Sequence, residues 1–421
     1  MPPTSGPTTT PLPEPVREQL DNGVPLVQLD LPEAPLVCLD FWCRAGSASE
    51  TAEESGMAHF LEHMVFKGST GLAAGEFDRR VEALGGSSNA ATGFDDVHFH
   101  VLIPPEAVTE ALDLLLDLVL QPRLDGDDFA MERQVVLEEL AQSEDQPEEV
   151  AFQQLLSRAC PGHAYGRPIL GRRPALEEHR PETMGRFHGR HYRSDRCCLA
   201  VAGPLQRLAL RERLAHSPLA DLPASPEPCR ITPLELRAGE ATLELPRLEA
   251  ARLLMAWRLP PAADQDAVTG SDLLTTVLAE GRRSRLVERL REQLRLVESI
   301  DLDLNVLEAG CLVLLEAVCE SDRLEAVEQE VKRVFDELLA TPPGEAEVER
   351  ARRLVGNGYR FSLEAPGSVA AMVGNSALWG RRHDLEAPLQ WLRDWDGARL
   401  GRELMPLLDP AQAFTLRAVP A

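Results

Sequence analysis

The segment Gly56-Met57-Ala58-His59-Phe60-Leu61-Glu62-His63-Met64 holds two imidazoles four residues apart with a carboxylate between them. On a helix, residues at that spacing leave one face a turn apart, so His59 and His63 can reach a single zinc ion. Glu62 lies beside that face and can take a proton from water whose pKa a bound metal lowers to about 7. An open catalytic zinc site needs a third protein ligand from elsewhere in the chain. The run Glu132-Arg133-Gln134-Val135-Val136-Leu137-Glu138-Glu139-Leu140 offers one. On a helix Glu132 and Glu139 share a face, whereas Glu138 is turned about 100° to one side. Glu139 is the expected ligand, and Glu132 the group that hydrogen-bonds a ligating imidazole and fixes its tautomer. An ordinary solvated helix residue is the competing reading of Glu132. A His-x-x-Glu-His string also arises by composition alone, and helical histidines are commonly plain surface or core residues. A purely structural zinc site fits less well, because such sites close all four positions, usually with cysteine, and none stands near this helix.

The elements that must carry these residues follow from periodicity. Gly23 to Ala45 contains two strand-like runs broken by Pro32 and Pro35. Helices are expected over Ser55 to Lys67 and Glu76 to Leu84, and a strand pair over Ser87 to Thr92 and Val97 to Ile103. Val108, Leu112, Leu115, Leu116 and Val119 form one face of a helix over Pro105 to Gln121, and a second helix runs from Asp127 to Ser143. Arg196 to Ala202 reads as a buried strand. Pro218, Pro223, Pro226, Pro228 and Pro233 then give the composition of a stiff connector. Beyond it the order repeats: a strand near Leu253 to Leu259, a helix from Ala267 to Ala279, a strand pair within Ile300 to Ala317, and helices near Leu324 to Leu339 and Glu345 to Phe361. The histidine cluster has no counterpart in that second half. The expected division is a disordered tail (1–15), a zinc-binding catalytic domain (16–216), a Pro-rich linker (217–233) and a second homologous domain without a metal site (234–421).

Bulk composition narrows the function classes. A chain of 421 residues, 44% hydrophobic, is long and apolar enough for two cores. A formal charge of -25 argues against a phosphate-binding surface, so nucleic acid is not an expected partner. The eight cysteines lack any regular spacing and sit mostly in apolar runs, which fits reduced thiols and a cytoplasmic location. The Pro- and Thr-rich first fifteen residues lack a signal peptide's pattern, and Asp113 and Asp117 interrupt the most apolar stretch, so no membrane segment is expected.

Taken together, Gly56 to Gly68 resembles the inverted zinc motif of the inverzincins, the pitrilysin-type metallopeptidases, and within them the branch that includes mitochondrial processing peptidase and its bacterial relatives. Glu132 to Leu140 is similar to that family's downstream acidic helix, with Glu139 where its third ligand stands. Asn89-Ala90-Ala91-Thr92 is similar to the edge strand that pairs with extended substrate, which makes Asn89 and Ala90 candidate substrate-binding residues. The competing reading of that stretch is a plain strand end. His163 to Pro168 and Phe187 to Tyr192 match further landmarks, read as structural. The resemblance implies an α+β fold of two homologous domains, each a largely antiparallel sheet packed by helices. It also implies one Zn2+ per chain, a dimer enclosing a chamber, and hydrolysis of peptides held extended.

One departure stands out. The family segment carrying an Arg and, seven residues on, a Tyr, both reaching the substrate near the metal, is matched here by Arg291 but has Glu298 at the Tyr position. A carboxylate there repels a developing oxyanion. The expectation is a hetero- or homodimer with a related subunit that supplies the Arg/Tyr pair. Two other classes stay open: a non-catalytic subunit or scaffold, and a module that binds peptides without cutting them.

Overall fold

The structure is a computed structural model that describes residues 13–206 and 208–421; the tail expected over 1–15 lies, up to residue 12, outside the described residues. Its first sheet has the order β1-β2-β6-β3-β5-β4, built from β1 (Val16–Gln19), β2 (Pro25–Asp30), β3 (Val37–Cys43), β4 (Ser87–Thr92), β5 (Val97–Ile103) and β6 (Cys197–Gly203). All pairings are antiparallel except β2 with β6. The second sheet has the order β7-β11-β8-β10-β9, from β7 (Gly239–Leu245), β8 (Ala251–Leu259), β9 (Ser299–Asn305), β10 (Cys311–Cys319) and β11 (Phe414–Pro420). There β7 and β11 are the parallel pair. The second order therefore repeats β2-β6-β3-β5-β4 of the first, so the two halves share one plan and differ by the extra edge strand β1. Between Leu214 and Gly239 the described chain forms neither helix nor strand, as its prolines require.

Burial along the strands tells which faces are covered. In β5 the residues Val97, Phe99, Val101 and Ile103 are buried and alternate with half-buried ones, the period of a strand with one apolar face. In β3 and β6 every residue is buried, so the sheet centre is covered on both faces. One face packs on α1 (Met57–Val65), α2 (Glu76–Ala83), α3 (Val108–Leu120) and α4 (Gly126–Asp145), through Met57, Phe60, Phe77, Leu112, Leu116 and Phe129.

The other face is covered from across the molecule. Val369, Ala370 and Val373 of the helix Pro366–Leu378 cluster with Val27, Leu29, Cys38, Ala200 and Ala202 of the first sheet. Reciprocally, Ala151, Leu155, Leu156 and Ala159 of α5 (Pro147–Ala159) cluster with Leu254, Ala256, Leu312, Leu314 and Leu416 of the second. Each Val or Leu buried in this way contributes about 1.5–3 kcal/mol relative to exposure. The approach is close enough to demand a glycine: a Cβ on Gly374 would sit 2.6 Å from Trp42 Nε1.

Polar contacts fasten the turn between β4 and β5 to the second half. Asp96 accepts from Trp379 Nε1 (3.0 Å) and Asn375 Nδ2 (3.1 Å). Tyr165 donates its hydroxyl proton to Asp95 (2.6 Å) and accepts from the Ala309 N–H (3.0 Å), while the Glu308 N–H donates to Asp95 (2.9 Å). Tyr165 is thus a structural residue. All eight cysteines are free, seven of them buried. Among the described residues no helix is long and apolar enough to cross a membrane.

Candidate metal centre

The first turn of α1 is set by backbone contacts. Gly56 has φ +83°, and a Cβ there would meet Leu170 O at 2.7 Å, so glycine is required on both counts. Glu50 receives the N–H groups of Gly56 (3.0 Å) and Ala58 (2.8 Å), donors that a helix start leaves without intrahelical partners. Burial pushes the Glu50 carboxyl up to about 8, with the two N–H bonds pulling against it.

Two helices then converge. His59 and His63 stand one turn apart on α1 with ring centroids 4.7 Å apart. From α4, Glu139 Oε2 comes within 3.6 Å of His59 Nε2 and 3.5 Å of His63 Nε2. The candidate ligand atoms of the three residues all lie within 4.8 Å of one another. A tetrahedral ion with ligand bonds of about 2.0–2.2 Å separates its donors by about 3.3 Å, so slight closure would suffice. Side-chain exposures of 11% for His59, 22% for His63 and 43% for Glu139 leave one side of the cluster open to solvent, as a site that must admit a further ligand requires.

The surrounding groups orient the donors. Glu132 accepts from His63 Nδ1 at 2.9 Å, which puts the hydrogen on Nδ1 and leaves the Nε2 lone pair facing Glu139. Its other oxygen pairs with Lys67 at 2.6 Å. The Glu132 bond, outweighing burial, holds the His63 pKa up; burial opposes ionisation of Glu132, but His63 and Lys67 together keep its pKa low. His59 is pushed down to about 4 by burial and by the neighbouring His63, so its imidazole is neutral near neutral pH. Among the described residues its buried Nδ1 has no partner, while its Nε2 faces Glu139. Two imidazole nitrogens and a carboxylate suit Zn2+, and the residues present fit that ion.

Glu62 points toward β4, where the Thr92 hydroxyl donates to its Oε2. Burial raises the Glu62 pKa, and the Thr92 bond and His63 partly offset that rise. Asn89 and Ala90 lie on β4, one of the two edge strands of the first sheet. Ala90 packs toward the helices, while Asn89 stands opposite His100 and turns its side-chain oxygen to the Ala90 N–H (2.9 Å). Arg291 is in the second half, in the helical turn Val287–Gln293, where it pairs with Glu292 (3.0 Å) rather than with the cluster. Glu298 directly precedes β9, its N–H donating to Val318 (2.8 Å).

Sequence reasoning missed Glu50, Lys67 and the hydroxyl of Thr92. Lys67 was discoverable, because it stands four residues after His63 at the end of the expected helix, although α1 itself stops at Val65 and a turn brings Lys67 back to Glu132. Glu50 and Thr92 reach the site through loop and sheet geometry that leaves no periodic signal.

Residues 27–173 match the family model described as insulinase (peptidase family M16), and 181–355 match the model described as the peptidase M16 inactive domain. An uncharacterized zinc protease of Mycobacterium leprae is 29% identical over 384 residues, covering 89% of this chain and 85% of that protein. A protease from Helicobacter pylori has the same fold, with a TM-score of 0.90 at 23% identity over 97% of this chain and all of that one. The peptidase M16 inactive domain structure from Pseudomonas fluorescens superposes with a TM-score of 0.88 at 19% identity, covering 97% of this chain and 98% of its own. With both family models matched in succession and the two-sheet plan shared almost end to end, the chain belongs to peptidase family M16, the insulinase and pitrilysin type.

Proposed function

We propose that this chain is a zinc-dependent endopeptidase that hydrolyses peptides or short unfolded segments held extended, and that it works with a homologous partner subunit. The observation that carries the reading is the meeting of His59, His63 and Glu139 from two helices with their ligand atoms within 4.8 Å, beside a half-buried Glu62. In this reading His59, His63 and Glu139 hold one zinc per chain, and Glu132 fixes the His63 tautomer. Zinc so held supplies Lewis-acid polarisation of a carbonyl and acidifies water. Glu62 accepts the proton of the attacking water and delivers it to the leaving amine, a role favoured by its raised pKa. The outer strand β4, with Asn89 and Ala90, offers main-chain hydrogen bonds to an extended peptide. Domain limits of 16–216 and 234–421, joined by the Pro-rich linker, belong to the same reading, as does a cytoplasmic location.

Glu298 and the engagement of Arg291 by Glu292 favour a second reading, in which the chain is a non-catalytic subunit or peptide-binding scaffold. Metal content and cleavage of a mixed peptide pool separate the two. An active enzyme holds zinc and yields fragments, and Glu62→Gln keeps the zinc while cleavage falls by about 10²–10⁴-fold. Intact peptides from a zinc-loaded chain mixed with its partner would refute the enzyme. Full activity of the chain alone would refute a non-identical partner.

A further inference from the structure

We propose that Asp40, His98 and His100 form a second divalent-cation site, for a first-row transition ion such as Zn2+, on the face of the first sheet opposite His59 and His63. The assignment rests on strand geometry and is independent of the proposed peptidase activity. Val97, Phe99 and Val101 of β5 enter the core with α1, so His98 and His100 between them face the other way. On β3, Asp40 stands directly across from His100 and Trp42 across from His98. Asp40 is only 1% exposed and its Oδ1 lies 3.0 Å from His98 Nδ1. The candidate ligand atoms of the three residues lie within 4.8 Å of one another, the same limit that the His59, His63 and Glu139 cluster meets.

Two further observations point to a ligand. Among the described residues His100 Nδ1 is buried with no hydrogen-bond partner, so the strand pair holds an imidazole nitrogen that none of them satisfies. The rings are also held in place: His98 stacks on Trp42 at 4.2 Å with a 16° interplanar angle, and on His100 at 5.4 Å and 21°. Two stacked imidazoles beside a buried carboxylate form a rigid donor set, and an ion would neutralise Asp40 while giving His100 a partner. Two nitrogens and one oxygen select a borderline divalent ion over Mg2+ or Ca2+, which take oxygen ligands.

Zinc content of the whole chain tests this. Metal-free protein is incubated with zinc chloride, desalted, and analysed by mass spectrometry, with circular dichroism as the check on folding. Two zinc ions per chain are expected for the wild type, one for the double variant His98→Gln/His100→Gln, and one for His59→Gln/His63→Gln. If the wild type holds one zinc and His98→Gln/His100→Gln still holds it, the second site is wrong and the peptidase reading stands. One zinc that is lost only from His98→Gln/His100→Gln would support the second site and overturn the first. Should that variant not fold, the His59→Gln/His63→Gln chain decides: one retained zinc supports the proposal, and none overturns it.

Discussion

The bond between Glu132 and His63 offers a quantitative test of how the metal centre is held. Glu132 is 5% exposed and makes two contacts, 2.9 Å to His63 Nδ1 and 2.6 Å to Lys67. Glu132→Gln keeps the shape but removes the charge, so the bond to His63 becomes a neutral one. Hydrogen bonds to charged groups contribute about 1.5–3 kcal/mol, and Lys67, 36% exposed, can turn to solvent, so its pairing is discounted. A neutral bond keeps about 0.5–1.5 kcal/mol of this, so the net loss is about 1–1.5 kcal/mol, which at about 1.4 kcal/mol per tenfold weakens zinc binding about 5–12-fold, near the lower end of the range for groups that orient metal ligands. The loss should depend on pH with a definite sign. Glu132 raises the His63 pKa, so in the wild type protons compete with zinc for His63 as the pH falls toward that raised value. The variant lowers His63's proton affinity, so its deficit is largest at about pH 8 and shrinks toward about pH 6. Competition with a chromophoric chelator at both pH values measures it. Unchanged zinc affinity at the higher pH, or an equal loss in Lys67→Met, would refute the reasoning.

Three further outcomes follow from the same geometry. Thr92→Val removes the hydroxyl that stabilises the Glu62 carboxylate, so the Glu62 pKa rises and the acid limb of kcat/KM against pH moves to higher pH. Glu50 has its folded pKa raised from 4.5 to about 8 by burial, so its contribution to stability is full below 4.5 and is lost as pH rises toward about 8. Glu50→Gln should flatten that part of the melting-temperature profile, followed by scanning fluorimetry across the same window. Gly374→Ala drives a methyl against Trp42, 2.6 Å from Nε1, and should destabilise the chain by about 1–3 kcal/mol, read as a lower denaturation midpoint.

Much of this architecture was legible beforehand because its signals are periodic. The β4 and β5 limits, Ser87–Thr92 and Val97–Ile103, coincide with the expected strands, since alternation and the turn between them are local properties. The helices around His59 and Glu139 were equally visible from apolar spacing. Invisible were α5, the helix Pro366–Leu378, the edge strands β1 and β7, and the inner strand β11. The helix Pro366–Leu378 is rich in small residues, and both helices bury their apolar residues on a distant sheet, so their pattern has meaning only once the partner surface exists. The parallel pairings β2 with β6 and β7 with β11 join residues far apart in sequence, which no local window reports. At the site, the ligand candidates were legible from helical spacing, while the support of Glu50, Lys67 and Thr92 depended on how the turns fold back.

The exchange of α5 for Pro366–Leu378 also bears on how the molecule comes apart. Each sheet takes its outer cover from the opposite half, so neither half alone can keep water from both faces of its own central strands. A cut in the proline-rich connector would sever the chain yet leave the two pieces clasped, each serving as the other's missing wall. Synthesised separately, they would be expected to stay soluble only after meeting, which makes the midpoint of this sequence a natural place to split the protein and watch it reassemble.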